Sequence, residues 1–484
     1  MLPFDSTTFR TWSEQLRILW WGRHRAAQRG LRFLDPAVQL PRFVQQCPLT
    51  MQCISWLRLL DWNCLSQPSA HRCFGQEPIA PATYIATFLV KIDQGIATVS
   101  ALRRFLVTHP ALVWALGFPL PSSNRQSRFD AEVSLPTHRH LSDVLRELPN
   151  EQLQQLLDAQ VAQLQLLLPD SFGQTISLDT KAILAWVKEN NPKAHIKEGR
   201  FDKSQQPIGD ADCKLGCKRR HNLKLTTPAQ EGKPASTVSR PVGEYYWGYA
   251  SGAVVTKLPD WGEFVLAEMT QTFDQGDTTY FFPLMEQVER RLGFRPRHGA
   301  LDAAYDAFYV YDYFHSPEHD GFAAVPFSEK GHKNVRRQFD PDGLPLCAAG
   351  LAMPLKFTYH DRTTAIIPYE RAKHVCPLLF PQPNGQTCPI GHSRWPHGGC
   401  ASHLAATPGS RIRHQLDREN AAYQAVYRQR TAVERIFSQA LALGIERPKL
   451  RNQQAIANQN TLIYLLINCR ALQRVLAKLT TTNK

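Results

Sequence analysis

The chain of 484 residues carries a net charge of +14 and has a pI of about 9.3, with 43% hydrophobic and 20% charged residues. This composition excludes a disordered chain and predicts about two to four folded domains, each large enough for its own core. The excess of positive charge favours a polyanionic partner, nucleic acid first and an anionic membrane surface second.

Nothing in the sequence predicts a membrane span or a secreted protein. No stretch approaches the roughly 18 to 20 continuous apolar residues of a membrane helix, and the start, MLPFDSTTFRTWSEQ, lacks a basic-then-apolar signal pattern. The eleven cysteines are spread over a long chain, which argues against a secreted disulfide framework. We therefore expect a cytoplasmic protein with reduced thiols.

The first two segments are predicted to be helical. Residues 1–75 contain several tryptophans, basic residues and scattered cysteines without a CxxC pair, so a helical packing layer is favoured over a zinc site and no role is assigned. Residues 76–170 have helical apolar spacing, interrupted at Pro110 and clearest in the amphipathic stretch 151–168. Binding of DNA ends and plain helical packing both remain open for this region.

Over residues 171–328 the residue pattern changes from helical to alternating α and β. A β-branched run reaches Asp179, and the basic stretch 188–233 is predicted to be a solvated loop that contacts phosphate. Two aromatic and β-branched strands follow (EYYWGYASGAVVTK and EFVLAEMTQTF), then an amphipathic helix that ends at Gly293. A short strand ends at Asp302, and a helix and a further strand, GFAAVPF, complete the segment.

Residues 329–410 interrupt this pattern and are predicted to be an insertion rich in Pro, Gly, His and Cys. A structural zinc site among Cys376, Cys388, Cys400 and a histidine is one interpretation, because thiolate and imidazole ligands suit tetrahedral Zn²⁺. Cys213 and Cys217 are half of a second metal pattern without a nearby partner pair.

The last segment, 411–475, contains the helix predicted over residues 421–450. Tyr427, Arg430 and Glu434 share one face of this helix, beside an apolar stripe that would pack on a core. An Arg430–Glu434 pair on a solvated face is the simplest interpretation. A final helix is predicted over residues 455–479.

The order of these elements predicts a meeting of three carboxylates. If the first three strands form a meander, a right-handed crossover returns the Asp302 strand beside the Asp179 strand, with the strand ends about 4.8 Å apart. The late helix could then bring Glu434 to both aspartates. Three adjacent carboxylates repel one another without a cation, and hard oxygen ligands of this kind are typical of Mg²⁺ sites for phosphoryl transfer.

Three segments carry a family resemblance: SLDTKAIL, ALDAAYDA and YRQRTAVERIF. They resemble the acidic motifs of bacterial insertion-sequence transposases of the DDE superfamily, of the type with an insertion before the glutamate. Tyr427, Arg430 and Glu434 match the family spacing of Tyr, two residues, Arg, three residues, Glu. The family continues with a Lys seven positions after the Glu, where this chain has Leu441, so Arg447 or Lys449 is the expected replacement.

The resemblance covers most of residues 80–475 and implies a fold and an activity. The fold would be an RNase H-like mixed five-stranded sheet flanked by helices, with the insertion and an all-α N-terminal region. Asp179, Asp302 and Glu434 would be catalytic ligands of Mg²⁺, with Mn²⁺ as an alternative ion. Tyr427 and Arg430 would hold double-stranded DNA near the scissile phosphate.

Family members act on the terminal inverted repeats of an element and on target DNA, and a homodimer that pairs two ends is expected. Two alternatives share the sequence features: a two-metal DNA nuclease on the same fold, and a transposase-derived DNA-binding protein without catalysis. Asp306, four residues after Asp302, is interpreted as a helix-start residue and not as a ligand.

Overall fold

The computed structural model describes residues 30–36, 38–65, 79–120, 129–191, 200–227, 236–316, 318, 321–328, 336–361 and 366–482. The tryptophans of the first 29 residues and Cys73 therefore lie outside the described residues. In the described part, no helix is long and apolar enough to cross a membrane.

The N-terminal region, as far as it is described, is built from helices. Pro110 begins a new helix after the predicted break, and the Thr137 hydroxyl accepts the His140 backbone N–H and so caps another helix. The α-helices are α1 (Arg42–Gln45), α2 (Pro48–Leu57), α3 (Pro81–Asp93), α4 (Val99–Val107), α5 (Pro110–Ala115), α6 (Ala131–Ser134), α7 (His138–Glu147) and α8 (Asn150–Leu167).

A mixed sheet of six strands follows. Its strands are β1 (Thr175–Leu184), β2 (Lys214–Thr227), β3 (Ser236–Leu258), β4 (Gly262–Thr272), β5 (His298–Leu301) and β6 (Phe322–Ala324). The C-terminal half of β3 lies between β1 and β4 and is antiparallel to both, whereas β5 is parallel to β1 and β6 is parallel to β5. The sheet thus contains the predicted meander and the crossover return.

The sixth strand, β2, corrects two predictions. Residues 214–227 are a strand paired with the N-terminal half of β3, and not part of a basic loop, so the sheet has one strand more than predicted. Pairing in a sheet depends on backbone hydrogen bonds, which the main chain of any residue except proline can donate and accept. The run KLGCKRRHNLKLTT has too few apolar residues to be recognised as a strand from its pattern. Leu215 opposite Trp247 is the buried contact near its start.

The connection between β4 and β5 is α9 (Phe281–Leu292), which ends at Gly293 with the predicted left-handed stop at φ +76°. Between β5 and β6 lies α10 (Phe308–Phe314). Both elements agree with their sequence predictions.

The predicted insertion contains its own small antiparallel sheet. Its strands are β7 (Leu355–His360), β8 (Glu370–Val375) and β9 (Ala401–Ala405), in the order β7-β8-β9. The chain then returns to the main body through α11 (Gly409–Gln415).

The helix predicted over residues 421–450 is shorter and is interrupted. The structure has α12 (Ala421–Tyr427), a 3₁₀ turn over Arg428–Arg430 and α13 (Thr431–Ala442), and Gly444 at φ +90° turns the chain away. The helix therefore ends before the glycine that breaks its pattern.

The last helix, α14 (Gln453–Thr482), is the centre of the core. It packs against β4, α8 and α3, so the N-terminal helices and the main sheet share one continuous apolar cluster. The Asn468 amide exchanges two hydrogen bonds of 2.9 Å with the backbone of Val265, which covers the edge of β4.

Candidate acidic site

The register of β1 and β5 places two aspartates side by side. Leu178 pairs with Leu301 in the parallel ladder, so Asp179 and Asp302 are the next two neighbours. Their predicted proximity is confirmed, but only Asp302 follows the end of its strand, because β1 continues to Leu184. One oxygen of Asp302 accepts the Ala304 backbone N–H at 2.8 Å, which fixes the side chain at the start of a short turn.

The environment of Asp179 disfavours its charged form. Burial raises its pKa to about 6, and the nearby carboxylates of Asp302 and Asp277 act in the same direction. The Thr180 backbone N–H, which Asp179 accepts at 2.8 Å, and the Arg430 guanidinium oppose this rise in pKa. Asp179 is thus a partly buried carboxyl that lacks enough positive charge to be fully ionised below neutral pH.

Glu434 reaches this place through Arg430. The apolar stripe of α13 is buried, Val433 and Ala440 fully so, and the 3₁₀ turn before it lies against β1 and β5. The Arg430 guanidinium lies 3.6 Å from Asp179 Oδ2 and 2.6 Å from Glu434 Oε1. The predicted Arg430–Glu434 pair therefore exists, and the same guanidinium joins it to Asp179.

Two further residues belong to this surrounding, and the sequence did not identify them. Asp277 accepts the Thr180 hydroxyl at 2.7 Å and raises the pKa of Asp179. Tyr305 is fully buried, its hydroxyl has no hydrogen-bond partner within the described residues, and its pKa is raised by burial and by Asp277, Asp179 and Asp302. Asp277 lies beyond a short loop after β4, whereas Asp302 directly follows β5, so a strand-end position alone did not single Asp277 out.

Asp306 is not the helix-start residue that the sequence suggested. Its carboxylate accepts two hydrogen bonds from Arg413, at 2.8 and 2.6 Å, and others from the Tyr311 hydroxyl and the Ser328 backbone. Its side chain is fully buried, and the arginine holds its pKa below the usual range despite the burial. Arg413, on α11, is 107 positions from Asp306 in the sequence, so this ion pair could not be predicted from the sequence pattern.

The remaining predicted DNA contacts are spread over the surface. Tyr427 stacks on Tyr423 with ring centroids 5.9 Å apart. Arg447 is exposed, and the Lys449 ammonium lies 5.5 Å from the centre of the Trp186 ring, beyond the C-terminal end of β1. Arg430 is thus the predicted contact that forms an ion pair with Asp179, whereas Tyr427 packs against the buried cluster that includes Ala300 of β5.

Two of the predicted zinc-site cysteines face each other in the second sheet. Val375 pairs with Ala401, which places Cys376 opposite Cys400. Burial, and to a smaller extent the neighbouring thiols of Cys376 and Cys347, raise the pKa of the Cys400 thiol to about 12. Over the described ranges, however, no group of three or more His, Cys, Asp or Glu side chains is arranged to hold a metal ion. Neither the carboxylates nor the thiols form a ready-made set of ligands.

A comparison of the sequence with protein-family models found no match, and a comparison with curated proteins also found none.

Proposed function

We propose that the chain is a transposase of the DDE type, which hydrolyses DNA at the 3′ ends of an element and then joins the freed 3′-OH to target DNA. The observation that carries this proposal is the convergence of Asp179, Asp302 and Glu434, two directly and one through Arg430. A structural role explains this convergence poorly, because burial and neighbouring acids already raise the pKa of Asp179.

The strand order supports an RNase H-like assignment within this proposal. Without β2, the order is β4-β3-β1-β5-β6, with antiparallel pairing among the first three strands and parallel pairing among the last three. This is the arrangement that the family resemblance implies for a sheet with acidic residues on its two central strands.

The donor set suits a divalent cation. Asp179 and Asp302 offer hard oxygen atoms, and the positive charge now shared between Asp179 and Glu434 is the Arg430 guanidinium. Mg²⁺ or Mn²⁺ bound here would supply an activated nucleophile and charge stabilisation for the leaving oxygen. Glu434 would join the aspartates by leaving Arg430, and its side chain is 48% exposed.

The other residues have supporting roles in this proposal. Arg430, once released from Glu434, can donate two N–H groups to a DNA phosphate, and Tyr427 can pack beside the strand. Arg447 and Lys449 would contact phosphates of element ends or target DNA farther from the aspartates. A homodimer that pairs two element ends, and a cytoplasmic location with access to the chromosome, belong to the same proposal.

Another function, a DNA-binding protein without catalysis, is favoured by one observation: Glu434 forms an ion pair with Arg430. A DNA nuclease that cuts without joining would use the same carboxylates. These candidates differ in whether DNA is cut and whether the cut end is joined.

The test is nicking of duplex DNA that carries the flanking element ends, with and without Mg²⁺, for the intact protein and for Asp302→Asn. The transposase and the nuclease both require nicking that depends on the metal and on Asp302. Joining of the cut end to added target DNA then identifies the transposase. Tight binding of the same DNA without nicking would replace the proposal with the non-catalytic function.

A structural zinc ion in the second sheet is a separate proposal. Cys376 and Cys400 supply a facing pair of thiols, and Cys347 is close enough to raise the pKa of Cys400. Metal analysis of the purified protein and of Cys400→Ser tests it. We expect about one zinc per intact chain and loss of that zinc in the variant, whereas a zinc-free intact protein refutes the site.

A further inference from the structure

A polar cavity lies where the second sheet meets the main body. Its volume is about 310 Å³, at the lower end of the range for small-ligand pockets. Its walls come from the segment before α10, from β9 and from α11, and include Asp306, Phe308, Arg337, His403, Arg413 and His414.

The two arginines of this cavity differ in their partners. Arg413 is neutralised by Asp306 through two hydrogen bonds. The Arg337 guanidinium donates to the Ser402 hydroxyl, and it forms no ion pair with a carboxylate within the described residues. Arg337 therefore brings a positive charge to the cavity wall that the described neighbours do not neutralise.

The surrounding groups confirm that positive charge is in excess here. Besides burial, Arg371, Lys373 and Arg337 lower the pKa of His403, and Arg413 and Arg337 contribute to lowering the pKa of His414 to about 4. Burial together with Arg413 and Arg371 also lowers the pKa of Arg337 itself. Both histidines are thus neutral at neutral pH, and the neighbouring cations repel one another.

We propose that this cavity, here called the anion pocket, binds a phosphate group of the DNA backbone through Arg337. The inference rests on the proposed function, which supplies the DNA, and extends it to a second contact point. A guanidinium can present two parallel N–H groups to phosphate oxygens, and a bound phosphate would relieve the repulsion among the cations. Asp306 in the pocket wall follows Asp302 by four residues, so the Cα atoms of these two residues are at most about 14 Å apart.

The test is fluorescence polarisation of a labelled 30-base-pair duplex, titrated with the full chain at 50 to 300 mM KCl. Arg337→Gln removes the pocket charge, and Arg394→Gln removes the same charge from an exposed loop of the second sheet. We expect Arg337→Gln to bind about five- to tenfold more weakly and to lower the salt slope by about one. Arg394→Gln should stay within about twofold, and Arg337→Lys should recover part of the loss.

Equal affinities and equal salt slopes for the Arg337→Gln and Arg394→Gln variants would overturn the pocket. A second result would overturn the pocket as a DNA contact. In it, 20 mM inorganic phosphate at constant ionic strength raises the Tm of the intact protein but not of Arg337→Gln, and the two proteins bind DNA equally well. The pocket would then bind a free anion and not DNA. Loss of DNA binding in Arg337→Gln alongside an intact protein that never nicks DNA would keep the pocket and refute the catalytic proposal.

Discussion

The acidic pair and the anion pocket begin only four residues apart in the chain, yet they are built by different means. Asp179 and Asp302 are neighbours because the backbone ladder of β1 and β5 fixes their register. The pocket depends on long side chains from distant segments: Arg413 reaches Asp306 across 107 positions, and Arg337 reaches Ser402 across 65. A site set by strand register can be inferred from the order of strands, whereas a site set by side-chain reach cannot.

The two regions also differ in charge. In the acidic site, burial and then the neighbouring carboxylates raise the pKa of Asp179, and carboxylates that lie close together favour a bound cation. In the anion pocket, Arg413 lowers the pKa of Asp306 and pairs with it. Arg337 is then the arginine of the pocket that has no carboxylate partner among the described residues. Substitutions in each region, paired with matched controls, test whether this difference holds.

The largest effect is expected where the pocket wall depends on a buried ion pair. Asp306→Asn removes the charge that faces Arg413, and breaking a buried pair costs about 3 to 5 kcal/mol of unfolding free energy. Because the pKa of Asp306 is lowered, the intact protein holds this stability above the normal Asp pKa and loses it as the pH falls through the lowered value. Urea unfolding at pH 7 measures the difference.

Asp302→Asn is the matched control, because it removes the same charge four residues earlier and keeps an oxygen that can accept the Ala304 N–H. We expect it to change the unfolding free energy by less than about 1 kcal/mol. Similar losses in Asp306→Asn and Asp302→Asn would mean that the two regions do not differ in the way described.

Asp179→Asn should stabilise the protein in EDTA. Because the pKa of Asp179 is raised in the folded state, protonated Asp179 stabilises the folded state below the unfolded pKa of about 4. This contribution to the unfolding free energy is lost as the pH rises through about 6. Asn does not ionise, so at pH 8 the variant should be more stable by about 3 kcal/mol, and the difference should vanish below pH 4. Thermal unfolding across pH 4 to 8 gives both values, and no difference at pH 8 would contradict the described environment of Asp179.

Arg430→Gln should shift the pH dependence of nicking. Arg430 lowers the pKa of Asp179, so its removal moves the acid limb of the rate profile to higher pH and slows nicking at pH 7 by about three- to tenfold. Arg435→Gln is the control, because Arg435 is on α13, which follows Arg430 directly, but pairs with Glu263 at 2.6 Å. An unshifted profile for Arg430→Gln, or an equal shift for Arg435→Gln, would remove Arg430 from the site.

The smallest effect is expected for Lys449, whose ammonium lies 5.5 Å from the centre of the Trp186 ring. Lys449→Gln should weaken duplex binding by about two- to threefold through the loss of one phosphate contact. Lys478→Gln is a matched control, because Lys478 also lies over a tryptophan ring, 4.6 Å from the centre of Trp261. Equal effects of the two variants in polarisation titrations would assign the change to lost packing and not to DNA.

The sequence predicted those parts of the molecule that depend on local pattern. The helix that stops at Gly293, the parallel return of β5 to β1 and the buried stripe of α13 follow from apolar spacing and glycine placement. Strand β2 was missed because it is held by backbone pairing and lacks an apolar pattern. The ion pair of Asp306 was missed because its partner is remote in sequence.

We propose that Asp179, Asp302 and Glu434 together bind a divalent cation that is required for DNA cleavage. The most direct test is nicking by Asp302→Cys in Mg²⁺ and in Mn²⁺, because a thiolate is a poor ligand for Mg²⁺ and a better one for Mn²⁺. We expect the intact protein to nick in both metals, and Asp302→Cys to be inactive in Mg²⁺ and at least about tenfold more active in Mn²⁺. Full activity of Asp302→Cys in Mg²⁺, or no recovery in Mn²⁺ by a folded variant that still binds DNA, would contradict Asp302 as a metal ligand.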